Sequence, residues 1–270
     1  MAARRPLPRF IVRPVRALLR LLDFDLVRLS SVAPTAATIR SQWIDRLGVD
    51  LVVDVGANEG QFVGWMRDRG YTGRIVSFEP QRRVFEICRA RWKGDPRWTG
   101  FHRALGEESG EMQMHVAGNS VSSSLLTMLD SHVEALPESA IVATEAVTVS
   151  RLDETLGPEV LRNADRIYLK MDVQGFERNV LRGATGILDR IAFIELELSL
   201  VPLYSGQVLL PEMMNDVAAL GFTPVALEPG FTSTLDGRML QMDGLFVRTS
   251  LLDAPARSPD YQDISGHSRQ

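Results

Sequence analysis

Residues 51–62 read LVVDVGANEGQF, and the fold turns on them. Leu51, Val52 and Val53 form a short apolar run of the kind that sits buried inside a parallel sheet. A turn follows at Gly56, and Phe62, Val63, Trp65 and Met66 then recur at helical spacing until Gly70 closes the segment. Strand, glycine turn and helix in that order bring a ligand close to the backbone, because no Cβ intrudes at the turn. The next strand, Ile75-Val76-Ser77-Phe78, stops at Glu79-Pro80. An acidic side chain at that strand end can accept hydrogen bonds from both hydroxyls of a ribose.

The same alternation extends outward in both directions. A helix from Thr38 to Leu47 precedes the first strand, and a helix from Val84 to Trp92 follows the second. Strand-like segments lie near 99–105 and 111–117, then at 166–171 and 192–198, with helices at 177–181 and 212–220. Residues 222–227 and 244–248 read as two final strands joined by a turn around Asp236-Gly237. Residues 118–150 are rich in Ser and Thr, with one short helical stretch. This pattern predicts an α/β fold, a parallel sheet with helices on both faces. The expected organisation is a basic helical extension over 1–37, one catalytic domain over 38–250 and a disordered tail over 251–270.

Composition narrows the function classes. The chain has 270 residues, 45% of them hydrophobic, enough to bury a core without disulfides or a structural metal. A single cysteine, Cys88, excludes a disulfide framework and a cysteine-based zinc site, which suits a cytoplasmic protein. The net charge of −4 argues against a general nucleic-acid binder. No uninterrupted apolar run approaches the roughly 20 residues a membrane span needs. Residues 1–30 nevertheless hold seven arginines against Asp23 and Asp25. A helix over 10–30 could lie on an anionic membrane surface, or pack on its own domain or on a second subunit of a homodimer.

The spacing of the first turn selects among cofactors. A dinucleotide site uses G-x-G-x-x-G, whereas the glycines here are Gly56 and Gly60 with Asn58 between them. Asp54 precedes the turn, and a carboxylate aimed there would repel a pyrophosphate but suit an ammonium. S-adenosylmethionine carries a ribose, an ammonium and a sulfonium, so these residues favour it over NAD.

Two further segments carry chemistry. In LKMDVQGFE (169–177), Asp172 falls at the carboxyl end of a strand, where open α/β sheets bind ligands, although it could simply cap the next helix. Glu177 could favour that helix's N-terminus. In FIELELS (193–199), Glu195, Glu197 and Ser199 share one face. Glu197 lies nearest the strand end and is the functional candidate; Glu195 is expected to pair with an arginine. The four histidines show no metal-ligand spacing, and Cys88 is expected to pack in the core.

DVGANEGQF, SFEP, YLKMDVQGFERNVLRGA, FIELELS and the later MDGLFVR together resemble the FkbM family of S-adenosylmethionine-dependent methyltransferases, over about residues 40–250. The resemblance implies the class I methyltransferase (Rossmann-like) fold, a seven-stranded, mostly parallel sheet whose last strand is antiparallel. It implies O-methylation of a sugar, a polysaccharide or glycolipid, or a polyketide-type metabolite. Carried over by residue, Asp54, Gly56, Asn58 and Gly60 would cradle the methionine end, Glu79 would take the ribose, and Ala104 and Leu105 would line the adenine pocket.

A sugar hydroxyl is a poor nucleophile while protonated, so the acceptor needs activation. Asp172 could serve as general base, or Asp172 and Glu197 could ligate Mg²⁺ and lower the hydroxyl's pKa. The acceptor pocket is expected from residues 118–136, with Ser122, Ser123 and Ser124, and from 199–214, with Tyr204 and Gln207. The competing reading is a nucleotide-binding module without catalysis.

Overall fold

The computed structural model describes residues 15, 17–19, 21 and 34–257. The basic helix expected over 10–30 lies almost wholly outside the described residues, as do 258–270. The chain divides into two compact units, Met1–Thr35 and Ala36–Gln270, and the fold below is that of the second.

Its helices are α1 (Ala36–Leu47), α2 (Gln61–Asp68), α3 (Arg82–Trp92), α4 (Asp130–Ala135), α5 (Leu152–Thr155), α6 (Pro158–Leu161), α7 (Glu177–Arg182) and α8 (Leu210–Ala219). Its strands are β1 (Leu51–Val55), β2 (Arg74–Phe78), β3 (Trp98–Phe101), β4 (Ala104–Leu105), β5 (Gly110–Ala117), β6 (Ile141–Ser150), β7 (Ile167–Met171), β8 (Ile191–Ser199), β9 (Phe222–Pro229) and β10 (Gln241–Arg248).

Seven strands form one sheet in the order β3-β2-β1-β7-β8-β10-β9. Every pairing from β3 across to β8 is parallel, and β10 runs antiparallel to both β8 and β9. This is the class I methyltransferase arrangement, as expected. Strand alternation sends β1 side chains to two cores. Leu51, Val53 and Val55 enter one with α7 and α8, while Val52 enters the other with α1 and α2. The chain leaves β1 toward β2 on one side and returns at β7 on the other. The carboxyl ends of β1 and β7 therefore flank a topological switch point, where this architecture opens a crevice.

Three expectations are corrected. The segment read as one strand near 99–105 is two, because β4 leaves the main sheet to join β5 and β6 in a three-stranded sheet of order β4-β6-β5. The Ser- and Thr-rich stretch hides the ten-residue β6: Val147 and Val149 point inward, while Thr144, Ala146 and Thr148 are exposed. Its outer face mixes apolar and polar side chains and gives no clean alternation with the inner one. The tail expected from 251 is docked as far as Arg257. Arg46 Nη2 donates to the carbonyls of Leu252 (2.7 Å) and Ala254 (3.1 Å), and Leu251 and Leu252 pack against the second core.

Candidate functional site

The cleft sits over the carboxyl ends of β1, β2 and β7. Gly56, Asn58, Glu79, Ala104, Leu105 and Asp172 all line it, together with Arg103, Ser120, Ser123, Gln174 and Phe176.

The turn after β1 is held by backbone bonds. The N–H groups of Gly56 and Ala57 both donate to the Phe78 carbonyl at 3.0 Å, and the Asp172 N–H donates to the Val55 carbonyl at 3.0 Å. Gly56 has φ +77°, and a Cβ there would lie 1.9 Å from the Asp172 carbonyl oxygen. Only glycine lets the β1 and β7 ends approach this closely. Asn58 also adopts positive φ (47°). Its N–H donates to Glu79 Oε2 (2.9 Å), and its side-chain amide reaches Ser120 Oγ (3.1 Å).

Glu79 accepts a second bond, from the Gln81 N–H (2.8 Å). Burial pushes its pKa up to about 7, although both backbone bonds oppose the rise. Glu79 is thus a buried carboxylate on the cleft wall, where a ribose acceptor is expected.

Asp54 departs from expectation. It is fully buried, and its carboxylate meets Lys170 Nζ at 3.3 Å and the Ser77 hydroxyl at 3.2 Å. The cation it serves is internal, because residue 54 of β1 and residue 170 of β7 are register partners on one sheet face. Burial raises the Asp54 pKa, with Lys170 opposing; burial lowers that of Lys170, but Asp54, Asp172 and Glu195 outweigh it and hold the lysine above its ordinary value. Gly60 is corrected too. It is absent from the cleft lining and packs beneath α3, where a Cβ would meet the Trp92 ring at 2.4 Å.

Asp172 presents a carboxylate whose side chain is 48% exposed at the cleft. Its Oδ2 lies 3.6 Å from Lys170 Nζ, and its Oδ1 accepts from Gln174 Nε2 at 3.1 Å. The same amide nitrogen donates to Glu197 Oε2, also at 3.1 Å, and Gln241 Nε2 donates to that oxygen at 2.6 Å. Burial, then Asp172, Glu177 and Asp243, raise the Glu197 pKa well above the carboxylate range. Glu197 therefore stands behind Gln174 rather than on the cleft wall.

This arrangement does not fit Mg²⁺, one of the two alternatives weighed for Asp172 and Glu197. The place between Asp172 and Glu197 is taken by an N–H donor, where a cation needs oxygen ligands. Among the described residues no group of three or more His, Cys, Asp or Glu side chains is arranged to hold a metal ion.

The remaining expectations divide. Glu177 is buried and accepts from the N–H groups of Val173 and Gly175, each at 3.2 Å, so it pins the turn after β7. Glu195 pairs bidentately with Arg40, at 2.5 and 2.7 Å, and accepts from Tyr168, as expected of a structural partner. Cys88 is buried in α3. Of the acceptor segments, residues 120, 121 and 123–125 line the cleft, whereas Ser122, Tyr204 and Gln207 do not. Tyr204 OH shares its proton between the Ser122 carbonyl (2.9 Å) and Gln174 Oε1 (2.8 Å), and Gln207 Nε2 donates to Ser199 Oγ at 2.5 Å.

Lys170, Gln174 and Arg103 received no role from the sequence. One signal was present: Lys170 is one of only two lysines and stands in an otherwise apolar strand.

A family model for the methyltransferase FkbM domain matches residues 54–224. The 2-O-methyltransferase NoeI of Sinorhizobium fredii (strain NBRC 101917 / NGR234) is 26% identical over 171 residues, 61% of this chain and 70% of that protein. Among solved structures, an rRNA methylase from Streptococcus thermophilus aligns at 11% identity and TM-score 0.44, over 81% of this chain and 99% of its own. Magnesium protoporphyrin IX methyltransferase from Synechocystis PCC 6803, solved with bound S-adenosylmethionine, aligns at 11% identity and TM-score 0.43, over 91% and 86%.

Proposed function

The chain belongs to the FkbM methyltransferase domain family, and from that premise we propose that it is an S-adenosylmethionine-dependent O-methyltransferase acting on a sugar hydroxyl, free or within an oligosaccharide or glycolipid. The observation that carries the reading is one cleft holding two carboxylates of different character. Glu79 is buried and backbone-bonded; Asp172 is half-exposed and reachable.

Donor chemistry in the cleft suits a nucleoside with a cationic tail. Glu79 would accept hydrogen bonds from the ribose hydroxyls, the backbone at Gly56 and Asn58 would hold the methionine end, and Ala104, Leu105 and Phe176 would offer adenine an apolar wall. Bound S-adenosylmethionine supplies an electrophilic methyl group on a good leaving group. The protein's own work is then alignment, water exclusion and one proton. Asp172 takes the acceptor hydroxyl's proton as general base, with Lys170 Nζ 3.6 Å from its Oδ2. The 2-O specificity in NoeI's name, together with the hydroxyls of Ser120 and Ser123 on the wall, supports a polyol acceptor. We assign the acceptor as a small molecule or oligosaccharide, not nucleic acid.

Calorimetric titration with S-adenosylmethionine, with NAD as control, tests the cofactor. Methyl transfer to a panel of sugars, glycolipids and polyketide alcohols then tests the acceptor. Binding of S-adenosylmethionine with turnover of sugars is the expected result. Turnover of polyketide alcohols alone would reassign the acceptor, and heat with NAD alone would refute the cofactor.

A further inference from the structure

The mismatch between the site and Mg²⁺ has a specific physical origin in one side chain. We propose that the amide of Gln174 takes the place between Asp172 and Glu197 that a divalent cation takes in a metal-dependent site, making Gln174 the positioning residue of a metal-free centre. The inference rests on the reading of Asp172 as the base.

Gln174 Nε2 stands 3.1 Å from Asp172 Oδ1 and 3.1 Å from Glu197 Oε2, so its two hydrogens serve the two carboxylates. The orientation of the amide is determined by its surroundings. Its Oε1 accepts from the buried Tyr204 hydroxyl at 2.8 Å, and the flipped amide would turn an oxygen toward the Asp172 carboxylate. The backbone is held as tightly. Gln174 and Gly175 both have positive φ, 55° and 98°, and the Gln174 carbonyl accepts from Ser124 Oγ at 2.7 Å. Ser124 and Tyr204 therefore deliver the amide to a defined point, and Gln241 Nε2 adds a second neutral donor on Glu197. A neutral donor orients Asp172 without neutralising it, which leaves that carboxylate able to accept a proton.

Replacing this donor by an acceptor should turn the point into a hard-cation site. Gln174→Glu would gather three carboxylates where oxygen ligands suit Mg²⁺ or Mn²⁺. The experiment uses full-length wild-type, Gln174→Glu and Gln174→Asn proteins, with Mn²⁺ as probe. Binding is read from loss of the free-ion signal in electron paramagnetic resonance, and turnover is measured in chelator with and without added metal. Asparagine keeps the left-handed backbone but is too short to bridge both carboxylates.

Wild type should leave Mn²⁺ free and turn over unchanged in chelator. Gln174→Glu should bind Mn²⁺ and lose about a hundredfold in kcat, part of it regained with metal. Gln174→Asn should lose kcat with little change in acceptor KM and no regain with metal. Mn²⁺ binding by wild type that Asp172→Asn abolishes would overturn the proposal, as would a folded Gln174→Glu that binds none. If Gln174→Glu does not fold, an unchanged kcat in Gln174→Asn overturns it alone. The Mn²⁺ arm needs no acceptor, so failure of the acceptor assignment is read separately, as wild-type protein without turnover.

Discussion

Lys170 Nζ stands 3.3 Å from Asp54 Oδ1 inside the sheet, between two strands that are parallel neighbours. Ser77, Asp54, Lys170 and Glu195 are successive register partners across β2, β1, β7 and β8. A polar row thus crosses the sheet on the face packed by α1 and α2, closed at the Glu195 end by Arg40. Buried charges persist only when paired, so Asp54 requires Lys170 and Glu195 requires Arg40.

Removing one partner should therefore be costly. Lys170→Met leaves Asp54 buried without its cation and is expected to destabilise by about 3–5 kcal/mol. Lys170→Met with Asp54→Asn should recover much of that loss. Chemical unfolding of the single and double variants checks both; a single variant within about 1 kcal/mol of wild type would show the pair to be dispensable.

Stability should depend on pH in a direction set by burial. Glu79 and Glu177 are pushed up to about 7, and Asp243 to about 6, by burial first. Between the ordinary carboxylate range and these values the folded chain holds protons that the unfolded chain has lost. Their contribution is full below that range and disappears as pH rises through 6 to 7. Urea unfolding of the ligand-free protein should thus give lower stability at about pH 8 than at about pH 5, with a shallower slope in Glu79→Gln.

The close approach at Gly56 predicts a severe variant. Gly56→Ala places a methyl 1.9 Å from the Asp172 carbonyl at φ +77° and should prevent soluble folding or separate β1 from β7. Asn58→Gly keeps the positive φ but loses the side-chain bonds to Ser120, to the Glu59 N–H and to Gln61, so it should still fold, with slightly lowered stability and weakened S-adenosylmethionine binding. Thermal melts and calorimetry of the two proteins separate the effects.

Asp172→Asn should lower kcat by about 10²–10⁴ while leaving S-adenosylmethionine affinity nearly unchanged. Glu79→Gln should do the reverse, weakening the cofactor and sparing kcat at saturation. A variant of Asp172 that retains turnover would remove it from the role of base.

Much of the fold was legible because its strands are continuous apolar runs and its helices are spaced around glycine turns. Leu51–Val55, Ile167–Met171 and Ile191–Ser199 are buried along nearly their whole length, and composition alone reveals such strands. β6 was not legible, because its exposed face, Val142, Thr144, Ala146 and Thr148, mixes apolar and polar side chains and gives no clean alternation with the buried one. The site was legible where a residue's place along the chain defines its place in space. Gly56, Asn58, Glu79 and Asp172 follow strand ends, and strand ends in a parallel sheet converge.

The α/β architecture and the place of the cleft are thus readable along the chain, but of the four acidic residues expected at the site, Asp54, Glu79, Asp172 and Glu197, it is Glu79 and Asp172 that face the cleft. What each polar side chain meets is set by packing across strands. Asp54 turns to Lys170 because strand register sets them side by side, Gly60 lies under Trp92 because α3 packs there, and Glu197 faces Gln174 because the turn after β7 folds back over β8. Spacing along one chain specifies which face a residue occupies, whereas the partner on that face comes from another strand at a register that the local sequence does not encode.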